Sequence, residues 1–93
     1  MGICYHYTMV TVDRAQTGMR IERNLLKVLK GVAEYLDVSL GYLVEGIALH
    51  AFEGKAPFTP STLAKIEQLK TVYSLSLTVA DAHKLEERDR DHH

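Results

Sequence analysis

Apolar positions recur at helical spacing through two adjacent stretches of this chain, and that pattern organises the rest. Leu25, Leu29, Val32 and Leu36 fall on one stripe, flanked by Leu26, Val28, Ala33 and Tyr35, so a first amphipathic helix is expected to begin near residues 22–24. Gly31 lies inside it at a cost of roughly 1 kcal/mol against alanine, which suits a close helix contact. Asp37-Val38 closes that helix and Ser39 is placed to cap the next. The second helix presents Leu40, Leu43, Val44, Ile47, Ala48, Ala51 and Phe52, a stripe wider than one helix partner covers, and Gly54 supplies its left-handed stop. Thr59 can cap a third helix that has Pro60 in its first turn and Leu63, Ile66, Leu69, Lys70 and Tyr73 along its edge. Leu75 and Leu77 pass through an extended link. Thr78-Val79-Ala80-Asp81 has the spacing of an aspartate-type capping box for a last helix that runs into a charged tail.

Ahead of these helices the periodicity changes. Residues 3–12 are rich in tyrosine, valine and threonine and alternate loosely, which fits either an extra strand or a disordered leader. Residues 16–21 alternate more cleanly: Thr17, Met19 and Ile21 share one side, and Gln16, Gly18 and Arg20 the other. A short strand followed by two helices cannot cover its own apolar faces. An intertwined homodimer is therefore expected.

Composition narrows the function classes. Ninety-three residues make one small domain with little room for a separate catalytic unit, and 46% of them are hydrophobic. A formal charge of -1 provides no general attraction for nucleic acid, so any such surface must be local. The single cysteine, Cys4, precludes an internal disulfide and a multi-cysteine zinc knot, and suits a reducing compartment. No apolar run approaches the ~20 residues of a membrane span, and the start lacks the layout of a signal peptide. A cytoplasmic protein without membrane contact is expected.

Over residues 16–52, the strand-like Met19-Arg20-Ile21-Glu22, the paired Leu25-Leu26, Ala33 within helix one, and Val38-Ser39-Leu40 opening helix two follow in order at familiar spacings. In this the chain resembles the ribbon-helix-helix (Arc/MetJ/CopG-like) family of DNA-binding repressors and antitoxins. The resemblance implies a mainly α fold with a short β ribbon. Its dimer core would span residues 16–54, between an N-terminal leader or extra strand at 1–15 and a helical extension with a charged tail at 55–93.

It also implies a homodimeric transcriptional regulator whose ribbon enters the major groove of double-stranded DNA. Gln16, Gly18 and Arg20 would face the bases. Ser39, Leu40, Gly41, Arg14 and Arg23 would contact phosphates. The dimer core would be built from Met19, Ile21, Leu25, Leu29, Val32, Leu36, Leu43, Val44, Ile47, Ala48 and Phe52. Higher oligomers on DNA, or a partner protein bound through residues 60–88, would involve the extension. The competing expectation is a dimeric interaction or structural module, a toxin-binding antitoxin included, without strong DNA binding.

Catalytic and metal chemistry find little in the sequence. His6, His50 and His83 are far apart and show no HxH or HxxxH spacing, so neither a metal nor a cofactor is expected. Cys4 and His6 lack a third orienting group, and no glycine-rich phosphate loop precedes a helix. Glu34 and Asp37 read as a solvated helix end. The sequence points to a binding protein rather than an enzyme.

Overall fold

Three α-helices form in the order and places the sequence predicts, each bounded by local chemistry. A computed structural model describes residues 9–87. Most of the stretch weighed as an extra strand lies outside those residues, as do Cys4, His6 and the terminal His92 and His93. Helix α1, Arg23–Leu36, starts where the Glu22 carboxylate accepts the Leu25 N–H at 2.7 Å. It ends where Asp37 turns left-handed at φ 61° and the Val38 N–H returns to the Ala33 carbonyl. Helix α2, Leu40–Phe52, is capped by the Ser39 hydroxyl, which accepts from the Tyr42 N–H at 3.1 Å. Gly54 at φ 69° lets the Lys55 N–H reach back to the His50 carbonyl. Helix α3, Pro60–Val72, has Thr59 as its cap and Pro60 in its first turn, where a missing N–H is harmless.

The helix expected after Thr78 shrinks to one 3-10 turn, Val79–Asp81. The Thr78 N–H donates to the Asp81 carboxylate at 2.8 Å, but no apolar stripe follows to reward further turns.

Helix α1 is the centre of the bundle and packs against both other helices. Val28, Val32 and Ala33 of α1 and Leu43 of α2 are buried, with Leu29, Ile47, Phe58, Ile66, Leu69 and Tyr73 packed around them. Lys27, Lys30 and Glu34 stay on the solvent side of α1. Leu69 of α3 comes close over Gly31, and the Lys65 ammonium stands 5.3 Å from the Tyr35 ring centroid. Thr62, also buried, receives the Thr59 hydroxyl at 3.1 Å, so its oxygen is not left bare.

The described residues contain no β-strand, so the fold is an all-α three-helix bundle. This overturns the ribbon-helix-helix assignment and the mixed fold that came with it. Two physical causes are visible. Residues 16–21 have no neighbouring strand with which to exchange backbone hydrogen bonds, and an unpaired strand leaves those groups to water. The cover for α1, expected from a second copy, comes instead from Ile66 and Leu69 of α3 and from Tyr73, which caps it, in the same chain. The expected dimer-core residues divide accordingly. Val32 and Leu43 lie inside this chain's own core with Leu29 and Ile47 against them, whereas Met19, Leu36 and Phe52 are exposed. Ile21, Leu25, Val44 and Ala48 are half-buried.

Candidate interaction surface

The residues expected to read DNA are not gathered into a reading face. Gln16, Gly18 and Arg20 lie in the irregular segment before α1, all exposed. The Arg20 guanidinium is paired with the Glu87 carboxylate. Arg14, expected at a phosphate, makes a two-pronged contact with Glu45 on α2: Nε to Oε2 at 3.0 Å and Nη2 to Oε1 at 2.9 Å. Arg23 sits exposed in the first turn of α1, and the Ser39 hydroxyl is used as a helix cap. Leu40 is half-buried and Gly41 exposed. Without a ribbon, and with two of the assigned arginines neutralised within the chain, the DNA-reading role and the repressor assignment fall together.

The fork between Arg14 and Glu45 is the one long-range polar link between the leader and α2 among the described residues. Hydrogen bonding to Arg14 is the chief cause that holds the Glu45 carboxyl below its ordinary pKa, and the same bond raises Arg14 above its own. Both groups are solvent-exposed, so the contact acts as a positional latch more than a source of stability.

Glu45 is also the only Asp, Glu, Lys or Arg on α2, LGYLVEGIALHAF. A helix so apolar all round belongs in an interior, yet only Leu43 of this one is buried. Leu43 and Ile47 face α1. The opposite side shows Tyr42 at 62% exposure, Leu49 at 65% and Phe52 at 82%. With Glu45, these residues repeat at intervals of three, four and three, which lines them up along one edge of the helix. The apolar stripe is continuous except for a single carboxylate, and that carboxylate is held by Arg14.

Two depressions flank the bundle. One, of about 220 Å³, is mostly apolar and runs between α2 and the start of α3, past Val38, Ile47, Pro57 and Phe58. His50 lines it and is joined through Nδ1 to the Gly46 carbonyl at 2.7 Å. The other, about 1170 Å³, mixes Arg20 and Arg23 with Glu22, Glu86 and Glu87, so it carries charges of both signs. Among the described residues no three His, Cys, Asp or Glu side chains come together as a metal-binding group. No helix there is long and apolar enough to cross a membrane.

The latch and the exposed stripe escaped the sequence reading for different reasons. Arg14 and Glu45 are 31 positions apart, and nothing local pairs them. The spacing of Tyr42, Glu45, Leu49 and Phe52 is present in the sequence, but there it lies within one broad apolar face. No family model, no curated protein and no solved structure matches this chain.

Proposed function

We propose that this chain is a small helical protein-interaction module that works as a pair of identical copies, joined through the outward side of α2. The observation that carries this is the exposed row of Tyr42, Leu49 and Phe52 on a helix with a single charged residue. Covering such side chains is favourable by roughly 1.5–3 kcal/mol each when burial is complete. A second copy offers the same row, and the spacing lets two such helices interlock side by side.

The test is sedimentation equilibrium or light scattering on the full chain across roughly 1–500 µM, the range in which an interface of this kind associates. The wild type is expected to show a dimer at the upper end. Leu49→Glu and Phe52→Glu should each weaken it at least about tenfold, a difference of about 1.4 kcal/mol, with helical content unchanged by circular dichroism. A wild type that stays monomeric throughout that range would sink the proposal.

A further inference from the structure

Helix α2 carries two glycines that its own chain leaves without a neighbour. In α1, Gly31 is filled by Leu69, whose Cδ2 stands 3.0 Å from where a Cβ would lie. At Gly41 and Gly46 of α2, an added Cβ would meet nothing within 4 Å. Glycine weakens a helix, so its presence is explained when another surface comes close to it. Both positions border the exposed row. At about 100° per residue, Gly46 falls beside Tyr42 and Leu49 on one flank, and Gly41 and Ala48 fall beside Glu45 and Phe52 on the other. The row is thus a ridge of large side chains with small residues along both edges. Its spacing adds a second property. Intervals of three, four and three read the same from either end of the helix.

We infer that two copies meet with their α2 helices antiparallel about Ile47, so that Tyr42 packs against the partner's Phe52 and Glu45 against the partner's Leu49. This rests on the self-association proposed above and fixes its orientation and register. A twofold pair must be self-complementary, and the symmetric spacing sets every residue of the row level with a residue of the reversed row. Charge selects between the two orientations. Parallel helices in register put Glu45 directly against its own copy within an apolar seam, where like charges repel strongly. Reversal moves the two carboxylates about 6 Å apart along the axis and faces each with a leucine. Each carboxylate also keeps the Arg14 of its own chain, so no existing bond is broken. The helix dipoles oppose one another in the same arrangement. At both ends of the seam, reversal pairs Tyr42 with Phe52, side chains that are 62% and 82% exposed in the single chain. Gly41, Gly46 and Ala48 at the flanks let the two backbones come close enough for so short a row to interlock.

Disulfide trapping on the full chain tests this, with Cys4→Ser as the background for Tyr42→Cys and for Phe52→Cys. An equimolar mixture of the two variants should cross-link about tenfold faster than either alone, since only the mixture brings two Cβ atoms within the roughly 4 Å that a disulfide needs. Phe52→Cys or Tyr42→Cys cross-linking fastest with itself would mean parallel helices; the orientation is then overturned and self-association through α2 stands. Equal rates in all three samples overturn the register in the same way. A second pair of variants serves if the cysteines loosen the dimer. Antiparallel pairing sets position 49 opposite the partner's Glu45, so Leu49→Lys should dimerise at least about tenfold more tightly than Leu49→Glu, by light scattering. Equal weakening by lysine and glutamate, as expected where position 49 meets its own copy, overturns the inference. A wild type monomeric at every concentration removes both proposals.

Discussion

Leu69 of α3 rests on Gly31 of α1 so closely that a Cβ added to Gly31 would stand 3.0 Å from Leu69 Cδ2 and 3.2 Å from Cδ1. The glycine gives up roughly 1 kcal/mol of helix propensity, and in return α3 lies flush against the helix that carries the core. Gly31→Ala should therefore change stability little, because the propensity gain is offset by displacement of the Leu69 side chain. In a Leu69→Ala background, itself destabilised by about 2 kcal/mol, the same Gly31→Ala change should stabilise by roughly 1 kcal/mol. Urea unfolding of the four proteins in this cycle measures the coupling. Additive effects would mean that the two residues do not touch.

Left-handed backbone at two non-glycine positions gives a second prediction. Asp37 at φ 61° and Ser74 at φ 58° end α1 and α3, and a side chain there costs roughly 1 kcal/mol relative to glycine. Asp37→Gly and Ser74→Gly should each raise the melting temperature by a few degrees. Asp37→Val should lower it.

The pairing of Thr59 with the buried Thr62 calls for a different kind of experiment. Thr59 accepts the Thr62 N–H at 3.3 Å and donates to its hydroxyl at 3.1 Å. Thr59→Ala removes a helix cap and leaves a nearly buried hydroxyl without that donor, a combined loss of about 1–3 kcal/mol. Thr59→Ser should retain most of the stability. Thr62→Val added to Thr59→Ala should restore part of what was lost, measured by chemical denaturation.

Acid should release the latch. The Glu45 carboxyl is depressed chiefly by its hydrogen bond to Arg14, with Tyr42 as the other ionisable side chain beside that arginine. A depressed folded-state pKa means the contact is fully present above the ordinary glutamate value and fades as pH falls through the folded value. The side-chain carboxyl carbon of Glu45, followed by NMR, should titrate below the ordinary glutamate value in the wild type and move up towards it in Arg14→Ala. An unchanged titration in the variant would remove the latch from the structure of the protein in solution.

How much of this was legible follows from range. Glu22, Ser39 and Thr59-Pro60 announce helix starts, and Asp37 and Gly54 announce helix ends, because caps act across three or four residues. The alternation through residues 16–21 was equally visible and misled, since a strand exists only when another strand bonds to it. The capping spacing at Thr78 was real, yet one capped turn without an apolar stripe goes no further. Exposure of Phe52 and burial of Ala33 were not decided by either residue's own chemistry.

From the chain alone, then, came the limits of α1, α2 and α3 and the all-round greasiness of the second, because propensity, caps and periodicity are properties of neighbours in sequence. Only the tertiary arrangement decided that α3 covers α1, that Arg14 reaches Glu45, and that one row of α2 stays bare. Each of these depends on which distant surfaces meet, and the energy of that meeting is absent from any local stretch of residues.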